Sequence, residues 1–291
     1  MTEPPSHLTP TDGFAGHATG LRAIRSAFRA ATAISPDVAA RAAEALFFKT
    51  SRPKPRPEEA AFLATARRFT VAAAGQQIAG YHWGDRGPVV LCAHGWWSHA
   101  GRFTPLARAL RAADFQVVAL DAAAHGRSTG WRSSMPEFAL SIRAVADQVG
   151  ALHAVVGHSL GGSAALFAIS RGLQTTRAVT IASPADLARW AEEFRVLMSL
   201  SDAVYARMVR NMEQRLGLVW ADLDVTSAAG RLDIPGLVIQ DRHDPDVPAA
   251  EGVALAAAWP RAELLLTENL GHRAIVRDPE VMARIVEFMR R

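Results

Sequence analysis

The sequence contains one cysteine, Cys92, among 291 residues. A disulfide within the chain needs two cysteines and a thiolate zinc site needs several, so both are excluded. Cys92 lies in the apolar run 89–93, which predicts a buried, inert thiol rather than a nucleophile. The chain is therefore neither a disulfide scaffold nor a cysteine-based enzyme.

Long hydrophobic runs are also missing. No apolar stretch reaches the length of a membrane span, and residues 1–13 have no basic start followed by an apolar core. Hydrophobic residues make up 49% of the chain and charged residues 21%, as in ordinary globular proteins. We therefore expect a cytoplasmic protein without a membrane partner.

Lysine is scarce, since 30 of the 32 basic residues are arginine. The net charge is +4 and the pI is about 9.9, but most of the arginines are scattered among acidic residues. No nucleic-acid-binding motif accompanies them, so we expect no nucleic-acid partner. Neither G-x-G-x-x-G nor a P-loop occurs, and we expect no cofactor.

Short apolar runs alternate with helical patterns from about residue 67 onward. The runs cover residues 69–73, 77–83, 88–93, 115–120, 152–156, 177–182, 235–240 and 263–267. Helical patterns cover about 102–112, 136–149, 160–172, 248–258 and 278–290. The alternation predicts an α/β fold with a mostly parallel sheet of about eight strands flanked by helices. No helix separates the first two runs, so they predict an antiparallel edge.

The chain divides into three regions by this pattern. They are an N-terminal arm and helical extension (1–60), an α/β core (61–183 and 233–291) and a helical insertion (184–232). Within the first region, residues 1–20 predict a loose arm, and helices are predicted at 21–33 and 36–49. The insertion predicts a cap over the carboxyl ends of the strands, with simple helical decoration as the alternative.

The most informative motif is Gly157-His158-Ser159-Leu160-Gly161, between a predicted strand and a predicted helix. Glycines two residues before and after Ser159 let the strand and the helix approach closely around a tight turn. A serine held there projects its hydroxyl at the N-terminus of the helix. This placement favours nucleophilic attack.

A serine nucleophile needs a base and a group that orients the base. Asp241, Asp244 and Asp246 follow the run 235–240, and His272 follows the run 263–267. Serine, aspartate and histidine in this chain order are expected of a catalytic triad on an α/β sheet. Asp186 is a more distant alternative for the acid.

A metal site built from these aspartates and His243 is disfavoured. Their spacing is not that of a calcium loop, and no second group of ligands is evident. We expect no metal.

These residues and motifs make the sequence resemble the α/β-hydrolase superfamily over residues 67–291, the insertion excepted. The matching motifs are the pentad 157–161, Asp-x-x-Val-Pro at 244–248, Gly-His at 271–272, His-Gly-Trp at 94–96 and the loop 121–128. That last loop resembles D-x-x-G-H-G-x-S, with Ala124 in place of the usual glycine.

The resemblance implies a role for each matching residue. Ser159 corresponds to the nucleophile, His272 to the general base and Asp244 to the orienting acid. The backbone N–H groups of Trp96 and Leu160 correspond to the oxyanion hole. A serine at the pentad argues against dehalogenase and epoxide hydrolase chemistry, which the superfamily performs with an aspartate there.

We therefore predict a serine hydrolase of the esterase kind, which cleaves a carboxylic ester or related acyl bond of a small, apolar substrate through an acyl-enzyme. The predicted substrate pocket comprises Trp96, Trp97, Trp190 and Phe194. For Trp96 and Trp97, packing between the 94–97 loop and the cap is an equal alternative. An acyltransferase, a carbon–carbon bond hydrolase, a perhydrolase and a non-catalytic small-ligand-binding protein are the alternatives. The N-terminal helices are extra to the superfamily core, and they suggest a homodimer, with packing against the sheet edge as the alternative.

Overall fold

The computed structural model describes residues 18–291, which fall into two compact units. The helical unit contains residues 18–49 and Asp186–Asp224, and the sheet unit contains Thr50–Ala185 and Val225–Arg291. Of the predicted loose arm, residues 1–17 lie outside the described residues, and residues 18–20 already belong to a helix. The sheet unit begins at Thr50 rather than 61, because Thr50 already hydrogen-bonds to the Ala124 and Trp131 carbonyls of that unit. A helix at Pro57–Ala64, not predicted from the sequence, then packs Leu63 into the core of the same unit.

The sheet has eight strands. They are β1 (Arg67–Ala73), β2 (Gln76–Trp83), β3 (Val89–Ala93), β4 (Gln116–Asp121), β5 (Leu152–His158), β6 (Thr175–Ile181), β7 (Gly236–Asp241) and β8 (Ala262–Thr267). Their order is β1-β2-β4-β3-β5-β6-β7-β8. The pairs β1–β2 and β2–β4 are antiparallel and all the others are parallel. The α/β fold and its antiparallel edge are confirmed.

Helices of the sheet unit connect these strands. They are α3 (Pro57–Ala64), α4 (Thr104–Ala112), α5 (Met135–Val149), α6 (Leu160–Ser170), α9 (Val225–Gly230), α10 (Ala249–Ala258), α11 (Gly271–Ala274) and α12 (Pro279–Arg290). Side-chain caps begin several of them. Ser134 accepts a hydrogen bond from the Glu137 N–H at α5, and Asp278 accepts two from the first turn of α12.

The strands consist of nearly continuous apolar residues, and helices pack against them, so the strands are buried. The core includes Val90, Val117, Val156 and Ile239, one from each of four central strands, all inaccessible to solvent. In such a sheet, loops at the carboxyl ends of neighbouring parallel strands lie side by side. The loops after β3, β4, β5, β7 and β8 therefore share one edge.

The helical unit consists of α1 (Ala18–Ile34), α2 (Pro36–Phe47), α7 (Leu187–Met198) and α8 (Asp202–Leu216). Its apolar core joins residues of the N-terminal helices to residues of the insertion: Phe28, Ala39, Ala43, Phe48, Phe194, Met198, Met208 and Met212. Arg215 pairs with Glu44 at 2.9 Å across the same helices. The two segments, which are far apart in the sequence, thus share one core.

No membrane-spanning helix is found among residues 18–291, because none is both long and apolar enough. The predictions of a homodimer and of a cap over the strand ends stay predictions.

Candidate active site

Ser159 occupies the turn between β5 and α6 in a conformation that L-residues rarely adopt, with φ 52° and ψ −130°. Its N–H donates a hydrogen bond to the Ile181 carbonyl at 2.8 Å, and its own carbonyl accepts one from the Gly162 N–H at 2.9 Å. A non-glycine residue at positive φ costs free energy and persists only where the surroundings impose it. The predicted strand–turn–helix placement of Ser159 is what the structure shows.

The glycines around Ser159 allow this turn. A Cβ on Gly157 would lie 2.3 Å from Gly162 Cα, and one on Gly161 would lie 2.2 Å from the Ala93 carbonyl oxygen. Both obstacles are backbone atoms, which cannot move aside as a flexible side chain would. The close approach of α6 to β5 and β3 therefore requires glycine at both positions.

The loop after β3 lies directly against Ser159. A Cβ on Gly95 would lie 2.8 Å from Ser159 Cβ and 3.3 Å from Ser159 Oγ. Glycine is needed at this position too, for close approach rather than for an unusual φ. The tripeptide His94-Gly95-Trp96 is thus brought next to the serine, as the sequence motif predicts.

His272 and Asp244 are hydrogen-bonded. Nδ1 of His272 donates to Oδ2 of Asp244 at 2.9 Å, and the Asp244 side chain is completely buried. The other carboxylate oxygen of Asp244 accepts from the N–H groups of Asp246 and Val247 at 2.8 and 2.9 Å. The carboxylate is therefore held from both sides, and it fixes the histidine tautomer with the proton on Nδ1.

The alternative acids have other contacts in the structure. Asp186 caps α7 in the helical unit, where its Oδ1 accepts from the N–H groups of Ala188 and Arg189. Asp241 is bonded to backbone groups of the loop that carries His272. Among the three aspartates with described contacts, the carboxylate bonded to the His272 ring is that of Asp244.

Side chains that could hold a cation also occur here. Ligand atoms of Asp244, Asp246 and His272 lie within 4.8 Å of one another. Two of these residues already bond to each other through Nδ1 and Oδ2. This cluster coincides with the candidate acid and base, so it is not a separate site.

His158 connects the serine turn to the loop that carries His272. Its Nε2 donates to the His272 carbonyl at 2.9 Å, and the two rings lie 4.9 Å apart. Burial, together with the neighbouring His272, lowers the pKa of His158 to about 3. His158 is therefore neutral at neutral pH. A neutral ring carries one N–H group, which is sufficient for its hydrogen bond to the His272 carbonyl.

Two further buried histidines tie the loop after β3 to the loop after β4. The Ala122 N–H donates to Nε2 of His94, and the Trp97 N–H donates to Nε2 of His125. Because each Nε2 accepts, each proton lies on Nδ1, which donates to the Gly95 carbonyl from His94 and to the Ala123 carbonyl from His125. Burial lowers the pKa of His94 to about 4 and that of His125 to about 3. Each of the two loops thus supplies one neutral histidine ring, and that ring accepts a hydrogen bond from a backbone N–H of the other loop.

The hydrogen bond to His125 bears on the oxyanion hole. Trp97 has φ 50° and its N–H is occupied, whereas no partner for the Trp96 N–H is found among residues 18–291. The Leu160 N–H stands in the first turn of α6, where helix N–H groups have no partner in the helix. Among residues 18–291, no internal hydrogen bond is found that occupies either of the two amides predicted as oxyanion donors.

The predicted pocket residues have different surroundings. The Trp96 ring is half-buried, with its plane 26° from that of Phe138 and its edge on His125. In the helical unit, Phe194 is buried with its ring 5.2 Å from that of Phe47, and Arg189 lies over the Trp190 ring. Contact of Trp96, Trp97, Trp190 and Phe194 with a substrate stays a prediction.

Two features of the site were not found from the sequence. The motifs indicate that His94 and His125 end their strands, but not that they exchange hydrogen bonds between loops. Asp241 is considered in the sequence only as an alternative acid. Its position as the final residue of a buried strand was the available signal, since strand ends are where loops are anchored.

A comparison with protein-family models matches residues 85–285 to the family described as serine aminopeptidase, S33. Human monoglyceride lipase is 30% identical over 140 residues, 44% of this chain and 46% of that protein. Monoacylglycerol lipase of Mycolicibacterium smegmatis is 42% identical over 85 residues, 26% of this chain and 30% of that protein. The aligned parts thus span less than half the length of these curated relatives.

Among solved structures, an esterase of Pyrococcus furiosus superposes with a TM-score of 0.64 at 18% identity. The superposition covers 83% of this chain and 97% of the esterase. At this identity the likeness establishes the fold alone.

Proposed function

Because this chain belongs to the serine aminopeptidase S33 family of α/β-hydrolases, we propose that it is a serine hydrolase that cleaves a carboxylic ester or related acyl bond of a small, apolar substrate. Ser159 is the nucleophile, His272 the general base and Asp244 the orienting acid. The chain itself supplies all the groups this reaction needs.

The observation that carries the proposal is the hydrogen bond between buried Asp244 and Nδ1 of His272, at 2.9 Å. It leaves Nε2 of the same ring as the atom that accepts a proton. His158, the residue before Ser159, donates a hydrogen bond to the backbone carbonyl of His272. The hydrogen-bonded acid and base are therefore anchored to the residue next to the nucleophile.

The reaction follows from these groups. Ser159 Oγ attacks the acyl carbon while its proton passes to Nε2 of His272, and the carbonyl electrons form an oxyanion. The N–H groups of Trp96 and Leu160 stabilise that oxyanion, each by about 3–4 kcal/mol. Collapse breaks the acyl bond, and His272 protonates the leaving alkoxide. Water, deprotonated by the same ring, then releases the acid and restores Ser159.

The site favours a substrate whose larger group, acyl or alkyl, is apolar. The half-buried Trp96 ring stands beside its own candidate oxyanion amide, and it is supported by Phe138. The curated relatives named as lipases of monoglycerides support the same class. Aryl and medium-chain esters are therefore the first substrates to examine.

A fluorophosphonate probe tests the nucleophile. We expect wild-type protein to be labelled on Ser159 and to hydrolyse aryl or medium-chain esters, and Ser159→Ala to lose both properties. Ser170→Ala is the matched control, because that serine lies at the far end of the same helix, with its hydroxyl bonded to Phe167. It should be labelled and active like wild type.

A panel of esters, thioesters, lactones and amides then separates the reaction types. Folded wild-type protein that resists the probe and holds a small ligand unchanged would contradict the enzyme and identify a binding protein. Preference for short, charged esters over aryl and medium-chain ones would contradict the apolar substrate.

A further inference from the structure

A buried carboxylate outside the triad joins the loops that carry the acid and the base. Asp241 is the last residue of β7 and is inaccessible to solvent. Its Oδ1 accepts from the His243 N–H at 2.9 Å, on the loop that leads to Asp244. Its Oδ2 accepts from Thr267 Oγ1 at 2.8 Å and from the Leu270 N–H at 3.0 Å, on the segment that leads to His272.

The sequence separations distinguish this arrangement from an ordinary turn. The bond to His243 closes a turn only two residues long, as aspartates commonly do. The bonds to Thr267 and Leu270 span 26 and 29 residues. One oxygen therefore shapes the acid loop while the other fixes the start of the base loop.

Asp241 fits its surroundings as an anion. Burial opposes its charge, but hydrogen bonds from Leu270, Thr267, His243 and Gly271 outweigh burial and hold its pKa below the ordinary 3.8. All four partners are donors. A protonated carboxyl group or an amide at this position would place a hydrogen against one of these donors, and that hydrogen bond would be lost. A carboxylate is the group that satisfies both loops at once.

We propose that Asp241 is a positioning residue that sets the relative placement of the Asp244 and His272 loops. The inference rests on the proposed function, in which the Asp244–His272 pair is the acid and base. Asp241 touches neither substrate nor reacting atoms. It acts by holding the backbone on each side of the pair, and a displacement of about 1 Å at such a pair lowers turnover by about 100-fold.

Asp241→Asn tests this role. The amide keeps the shape but replaces one acceptor oxygen with a donor, so either the His243 or the Leu270 bond is lost, whichever way the amide turns. We expect kcat on an aryl ester to fall by about 100-fold, with KM within about 3-fold of wild type, because the ester still binds. A substitution that merely destabilised the fold would leave the kcat of the folded fraction unchanged.

A second readout does not depend on activity. The Nδ1 proton of a histidine bonded to a buried carboxylate gives a far-downfield proton NMR resonance, which Asp244→Asn identifies by removing it. We expect Asp241→Asn to broaden or remove this resonance too. Asp278→Ala is the control, because it removes the cap that accepts from two N–H groups at the start of α12 but touches neither loop. It should lower the melting temperature while the resonance and kcat remain.

Thr267→Val provides the same test if Asp241→Asn does not fold. It removes one donor to Oδ2 at nearly constant volume, and we expect kcat to fall by about 3- to 10-fold with a broadened resonance. Wild-type resonance and kcat in a folded Asp241→Asn protein, or in Thr267→Val if the former does not fold, would overturn the positioning role. Failure of the proposed function can be told apart from failure of the positioning role. If the proposed function is wrong, the wild-type protein lacks turnover, but the resonance still reports whether Asp241 positions the Asp244–His272 pair.

Discussion

At the scale of single residues, the site depends on side chains whose protonation state is set by their hydrogen bonds. His94, His125 and His158 are buried, and each uses one nitrogen to donate to a backbone carbonyl. For His94 and His125 the other nitrogen accepts a backbone N–H, which a protonated ring could not do. These rings hold loops in place only while they are neutral.

This dependence predicts a loss of stability on mild acidification. The pKa values are about 4, 3 and 3 in the folded protein against 6.5 for an ordinary histidine, so the unfolded chain takes up protons first. Their contribution is complete above pH 6.5 and declines as the pH falls from there toward the folded values. Each ring should lower the unfolding free energy by about 1.4 kcal/mol per pH unit in that window.

Urea denaturation at several pH values between 5 and 8 measures this slope. His125→Gln is the informative variant, since its slope should be smaller by about one bound proton even if the variant is less stable throughout. An identical slope in wild type and His125→Gln would contradict the assignment. The contribution of Asp241 lies in a separate window, because its lowered pKa makes its stabilisation decline only below about pH 3.8.

The proposed triad predicts strongly non-additive substitutions. Ser159→Ala and His272→Ala should each reduce kcat nearly as much as the double substitution, because the residues act as a unit. Asp244→Asn should keep the fold and cost about 10⁴-fold in kcat, because the histidine tautomer is no longer fixed. Steady-state kinetics on an aryl ester gives all three values.

Asp186→Asn is the control for the acid. This aspartate caps α7, and its loss should leave kcat near wild type. A harmless Asp244→Asn together with a crippling Asp186→Asn would show that the acid has been assigned to the wrong residue.

At the scale of secondary-structure elements, the site depends on how closely α6 approaches the strands. Its first residues follow Ser159 directly, and its N-terminal glycines lie against the backbone of β5 and of the residues that end β3. The helix is buried along most of its length, so it cannot move outward without exposing apolar surface. The geometry of the serine turn is therefore a consequence of helix docking.

Gly161→Ala tests this dependence. Its new Cβ would meet the Ala93 and His94 carbonyl oxygens at 2.2 and 2.4 Å, so the helix must shift. We expect the unfolding free energy to fall by about 1–3 kcal/mol, and kcat to fall with it. Gly20→Ala is the matched control, since a Cβ there meets nothing within 4 Å, and it should be neutral or slightly stabilising. Equal effects of the two substitutions on unfolding would exclude helix docking as the reason for glycine.

At the scale of the whole molecule, the N-terminal helices are part of a folded unit rather than an appendage. Phe28 and Phe48 share a core with Phe194 and Met208 of the insertion, although more than a hundred residues separate them in the chain. Segments this short usually bury too little apolar surface to fold alone, so we expect the insertion helices to depend on the helices within residues 18–49.

Deletion of residues 1–49 should expose the apolar side of the insertion helices. We expect binding of a hydrophobic dye and aggregation in light scattering, because Met198 and Met208 lose their partners. Ile34→Ala, at a position 85% exposed on α1, is the control and should change neither. A shortened chain that stays monodisperse at half the wild-type mass would instead support the predicted homodimer.

The sequence by itself determined the α/β order, the antiparallel edge and the three motifs that carry Ser159, Asp244 and His272. These features are local, since apolar runs, turn glycines and strand-end loops are read from neighbouring residues. The tertiary structure decided which aspartate meets His272, what Asp241 joins and where residues 18–49 pack. Each of these depends on contacts between segments far apart in the chain, and such contacts are set by backbone placement to within an ångström, which no residue pattern records.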